Sequence, residues 1–162
     1  MKLFKSALDA VYALTQYVLF VMVAAMVAIV FAQVIFRFIL HASLPWSEEA
    51  ARYIMVWISM LGASVGLRNK GHIGVEAVVM LLPAPAKRAV SVVTTAVAAV
   101  FFSGTIYYGI RTLSVVSAQE SPAMEISMAI PYGSIVVGGA LMALYSIEEL
   151  ANLLTRGGRG MA

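Results

Sequence analysis

The sequence contains no cysteine, which excludes disulfides, thiolate catalysis, Cys-ligated zinc and iron–sulfur centres. Charge is scarce too: Asp, Glu, Lys and Arg together make up 12% of 162 residues, well below the share in a soluble domain of this size. The formal net charge of +3 is modest, and no nucleic-acid partner is expected. Almost every charged residue lies at or beyond the end of an apolar run, leaving no obvious ionisable group at mid-membrane depth. A chain built this way is poorly equipped to move an ion alone.

What the sequence does have is apolar length. Hydrophobic residues make up 62% of it, concentrated in runs over about 11–40, 54–67, 89–110 and 130–154. The longest exceed what a ~30 Å hydrocarbon slab requires. The expectation is an all-α integral membrane protein forming one membrane domain over 1–162, with four transmembrane helices near 11–40, 47–68, 87–112 and 130–154. Lys2 and Lys5 before the first run resemble the start of a signal peptide, but the apolar stretch runs far past an h-region, so it reads as an uncleaved span.

Orientation follows from the basic residues. Lys2, Lys5, Arg68, Lys70, Lys87, Arg88, Arg156 and Arg159 fall on one side, and only Arg37, Arg52 and Arg111 on the other. The positive-inside rule then places both termini and the 68–88 connection in the cytoplasm. Within that connection, 75–82 is apolar but too short to span and suits a helix lying in the interface. Arg68 and His72 mark this cytoplasmic side, and His72 and Glu76 are spaced to pair.

Gln33, Arg37 and His41 recur every fourth residue and would share one face at the outer end of the first span. The second span opens with Trp46, Ser47, Glu48, Glu49, Ala50, Ala51, Arg52 and Tyr53. Trp46 and Tyr53 suit a membrane boundary, and the acids suit the positive end of a helix. Either Glu48 or Glu49 can pair with Arg52, and Arg37 is a further candidate across the short connection. Arg37, Trp46, Glu48, Glu49 and Arg52 therefore read as an organising polar cluster that performs no chemistry. No other acid, Asp or His converges on it by spacing, so no catalytic group, metal or cofactor is assigned.

Small residues mark close helix packing. Ser59, Gly62, Ala63 and Gly66 share one face of the second span; Ser134, Gly138, Gly139 and Ala143 give the fourth its own. Before the fourth span, Ser121 ahead of Pro122 reads as a helix N-cap, and Pro131 either starts that span or kinks a helix already under way.

Several of these fragments, in this order, resemble the small membrane subunit of the tripartite ATP-independent periplasmic (TRAP) transporters, the DctQ-like small permeases. They are Gln33 and Arg37; Pro45-Trp46-Ser47-Glu48-Glu49 with Arg52-Tyr53; Gly62; Arg68 through His72-Ile73; Ser121-Pro122-Ala123-Met124-Glu125-Ile126; and Ile130-Pro131-Tyr132-Gly133. The resemblance implies a sodium-driven secondary transporter that imports organic acids such as C4-dicarboxylates or sugar acids. A periplasmic solute-binding protein would deliver the substrate to a membrane pair in which a large multispanning subunit carries the transport path. The small subunit would be its scaffold in the bacterial inner membrane, in contact with membrane lipids.

Two other classes remain open on the residues alone. A haem-bearing anchor of a respiratory enzyme would need two axial ligands at one iron, yet His41 and His72 fall at opposite ends of the second span, ~30 Å apart. A self-sufficient exporter working as a dimer would need a mid-membrane carboxylate that the runs do not supply.

Overall fold

A computed structural model describes residues 2–69 and 83–156. The expected interfacial helix over 75–82 and the His72–Glu76 pairing lie outside the described residues. Within them the chain forms α1 (Lys2–Phe38), α2 (Pro45–Arg68), α3 (Ala84–Val116) and α4 (Ala129–Arg156). All four are long and apolar enough to cross a membrane. Their prolines stand in first turns, where the missing N–H would have had no helical partner: Pro45 opens α2, Pro85 follows the first residue of α3, and Pro131 is third in α4. Pro131 thus starts the last helix and does not kink it.

At 1.5 Å per residue, the 37 residues of α1 extend about 56 Å, so this helix must tilt or project beyond the hydrocarbon. It ends at Phe38, before His41, which has left the helix with a φ of 53°. The shared face expected for Gln33, Arg37 and His41 is therefore lost at its last member. The cause is the tight connection to Pro45, which the chain can enter only by leaving the helical path.

The helices form an open row. Close backbone packing runs from α1 to α2, from α2 to α4, and from α4 to α3. Among the described residues, no comparable contact joins α1 to α3, α1 to α4 or α2 to α3. The core follows α4, where Ser134, Met142, Ala143, Tyr145 and Ser146 are all buried. Along α1 and α3, by contrast, Phe20, Val27, Phe31, Val100 and Phe101 remain exposed.

Small residues set the two inner seams. A Cβ on Gly138 would lie 2.8 Å from the Met60 Cβ and 3.1 Å from its carbonyl oxygen, so α4 can approach α2 this closely only through a bare backbone. Gly109 of α3 does the same against Val136, whose Cγ2 would stand 2.8 Å from an added Cβ. Ser64 and Ser134 are fully buried beside the first seam. Each hydroxyl donates at 2.7 Å to a carbonyl one turn back, Leu61 O and Pro131 O, so neither needs a partner across the seam.

The α3–α4 connection is ordered by its own backbone. Ser121 N–H donates to Ile126 O at 2.9 Å and Met128 N–H to Gln119 O at 2.9 Å, closing a turn with Glu125 in the left-handed region at φ 54°. Ser121 does not cap a helix, because α4 begins only at Ala129. Its hydroxyl instead accepts the Ile126 N–H at 3.3 Å inside the turn. Pro122 helps to explain this: it fits a turn as readily as a first helical position.

Candidate functional site

Helix α2 has a partner on each side in the row, and its ends carry the polar structure. At the Trp46 end, Glu49, Tyr53 and Trp57 recur every fourth residue and so line one face. All three reach across to α4 or to the turn before it. Glu49 Oε2 accepts the backbone N–H groups of Ala123 at 2.9 Å and Met124 at 3.0 Å, while Oε1 accepts the Tyr53 hydroxyl. That hydroxyl also lies 3.3 Å from Met128 Sδ. Trp57 Nε1–H donates to Ile130 O at 3.1 Å.

Glu49 is 6% exposed, and none of the described residues places a basic side chain within ion-pair distance of it. Two amide donors, one hydroxyl and the positive end of α2, four residues into which it sits, offset its charge. The expected pairs with Arg52 and Arg37 are absent. Arg52 points to the exposed side of α2, and Arg37 stacks over the Phe38 ring with its guanidinium carbon 5.9 Å from the centroid. Helical spacing permits a Glu49–Arg52 contact, but two backbone donors presented by a turn outcompete a solvent-facing guanidinium. Glu48 accepts from Gln33 Nε2 at 3.1 Å and so ties α1 to α2, while Trp46 stays exposed.

At the other end, Arg68 binds three helices together. Its guanidinium donates to Leu8 O at 2.8 Å and to the Asp9 carboxylate on α1, and lies 3.6 Å from Glu148 on α4. It also sits over the rings of Tyr12 and Tyr145, 4.8 and 5.0 Å from their centroids. A planar cation with five donors can serve a carbonyl, two acids and two π faces at once, which a lysine ammonium cannot. Beside it, Tyr12 donates to Asn69 Oδ1 at 2.8 Å and accepts from Gln16 Nε2 at 2.9 Å.

Asp9, Tyr12, Tyr145 and Glu148 were not singled out in the sequence. The available signal was coarse: two acids just inside the ends of the first and last spans, on the side where Arg68 leaves the second. His72 lies outside the described residues. The small-residue faces divide: Ser134 and Gly138 meet α2 within this chain, whereas a Cβ on Gly62 or Gly66 would meet nothing within 4 Å. Among the described residues there is no group of three His, Cys, Asp or Glu side chains able to hold a metal.

Together these features define a membrane-embedded, all-helical protein whose buried charges join its own elements. Residues 26–156 match the family model for the DctQ component of tripartite ATP-independent periplasmic transporters, and the chain belongs to that family. The family is one of transporter components, not enzymes. The chain is 31% identical over 142 residues to the isethionate TRAP transporter permease protein DctMQ of Oleidesulfovibrio alaskensis, covering 80% of this chain and 22% of the relative. It is 31% identical over 90 residues to the sialic acid TRAP transporter permease protein SiaT of Haemophilus influenzae, covering 56% of this chain and 15% of the relative. To the sialic acid TRAP transporter small permease protein SiaQ of Vibrio cholerae it is 23% identical over 133 residues, covering 82% of this chain and 77% of the relative. The chain therefore spans only about a fifth of the length of the first of these, and less of the second.

Proposed function

We propose that this chain, acting as one membrane domain over 1–162, is the scaffold on which a large permease subunit works, in a sodium-driven transporter that imports an organic acid. The observation that carries the reading is an open helical row in which Glu49 and Arg68 are both engaged by partners within the chain. Glu49 and Arg68 are spent on holding α1, α2 and α4 together, which suits a static support better than a transport path. Relatives named for isethionate, sialic acid and C4-dicarboxylate uptake all handle organic anions, which favours an anion of that class here. A periplasmic binding protein delivers it, and the large subunit carries the moving parts.

Both termini face the cytoplasm of a bacterial inner membrane, in keeping with the basic residues at 2, 5, 87 and 88. Arg68 and His72 then mark the cytoplasmic side, and Arg37, Trp46, Glu48, Glu49 and Arg52 the periplasmic boundary. The face bearing Gly62 and Gly66, where an added Cβ would meet none of the described residues within 4 Å, packs against the large subunit. The test is uptake of radiolabelled organic anions into proteoliposomes that hold this chain, the large subunit and external binding protein. Uptake should require all three proteins and an inward sodium gradient. Undiminished uptake without this chain would refute the scaffold role, and uptake indifferent to sodium would refute the coupling.

A further inference from the structure

A groove of about 580 Å³ runs between α3 and α4, lined on α3 by Val100, Phe101, Gly104, Tyr108 and Thr112 and on α4 by Tyr132. We propose that it holds one phospholipid from the leaflet on the Trp46 side, with an acyl chain lying along Gly104 and the phosphate beside Arg111. Neither the substrate nor the coupling ion enters this inference.

Dimension is the first support. Val100 to Thr112 is twelve helical steps, about 18 Å, close to half of a ~30 Å hydrocarbon core. The groove thus serves one leaflet.

Polarity is the second. The deep end is apolar, with Val100 and Phe101 exposed and a bare backbone at Gly104, where an added Cβ would meet nothing within 4 Å. The hydroxyls of Thr105 and Thr112 are both bonded to carbonyls of their own helix, so the change in polarity comes from Tyr108 and Tyr132 towards the end of α3, the residue type that a headgroup boundary favours. This end lies on the Trp46 side, because the turn that follows α3 binds Glu49 through Ala123 and Met124.

Charge is the third. Arg111 is exposed, and its guanidinium carbon sits 4.8 Å from the centroid of the Tyr107 ring, which packs edge-on against the Tyr108 ring at 5.2 Å. Arg111 makes no ion pair among the described residues. A cation is thereby held next to the hydroxyl end of an apolar groove, the order of groups that a phosphate above an acyl chain requires.

Native mass spectrometry of the assembled membrane complex, released from mild detergent, tests this directly. Wild type should retain a phospholipid mass and, after delipidation, take up phosphatidylglycerol in preference to diacylglycerol of the same chains. Gly104→Leu places a branched side chain in the groove from a backbone where an added Cβ meets nothing within 4 Å and should abolish retention, whereas Val97→Leu, exposed on α3 but outside the lining, should leave it unchanged. Arg111→Gln, which at the surface removes only the contact with the Tyr107 ring, should remove the preference for the phosphate. Lipid retained at wild-type level by Gly104→Leu, or equal uptake of the two lipids by wild type, would overturn the proposal. So would a disulfide between Gly104→Cys, unique in this cysteine-free chain, and a cysteine scanned through another subunit, since a protein helix would then occupy the groove.

Discussion

The two ends of α2 hold charges of opposite sign by different means, a buried one at Glu49 and a half-buried one at Arg68. Glu49 is an anion held mostly by main-chain donors of a turn 74 and 75 residues away, and Arg68 is a cation held by two acids, one carbonyl and two aromatic rings. Both complement the helix dipole, the acid in its first turns and the base in its last. The difference lies in what else they organise. The Glu49 end fixes the shape of a connection, because a carboxylate with two parallel N–H donors tolerates only one placement of that turn. The Arg68 end fixes the distances between α1, α2 and α4, because each of its partners belongs to a helix.

The largest effect that would break this symmetry is expected from Arg68→Ala. It removes two charge-assisted hydrogen bonds, two ring contacts and the counter-charge to Glu148, whose side chain is only 15% exposed. The expected loss is about 2 to 3 kcal/mol, read as a lower thermal midpoint of the detergent-solubilised protein. Arg68→Lys should recover only a minor part, since an ammonium cannot serve all five partners. Full recovery by lysine would mean that charge alone matters at this end.

A smaller effect sharpens the account of the same end. The Asp9 side chain is 72% exposed, so its ion pair with Arg68 is heavily screened. Asp9→Asn should cost at most about 1 kcal/mol, and the cost should shrink further in high salt. A loss as large as that of Arg68→Ala would assign the anchoring to Asp9 instead of to Glu148 and the two rings.

The same contrast explains which features are legible in the sequence. Four apolar helices, the small-residue approach at Gly138 and the place of Glu49 near the start of α2 all follow from local composition and periodicity. The partners of Glu49 do not, because backbone N–H groups are carried by every residue except proline, and no spacing rule identifies Ala123 and Met124. Helical periodicity favoured Arg52, a legitimate neighbour that the fold turns outward. At the Arg68 end the partners are distinctive side chains, yet Asp9 and Glu148 lie 59 and 80 residues away. Only the order of the helices in the row brings them together. The Gly62 and Gly66 face shows the converse: its pattern was plain in the sequence, yet among the described residues a Cβ added at either glycine would meet nothing within 4 Å.

Hydrogen exchange at the Ala123 and Met124 amides tests the central claim, that the turn before α4 is held by the Glu49 carboxylate and not by an ion pair with Arg52. Both amides should be protected in wild type and in Arg52→Ala, and both should exchange much faster in Glu49→Ala while the middle of α4 stays protected. Equal deprotection by Arg52→Ala, or continued protection in Glu49→Ala, would contradict it.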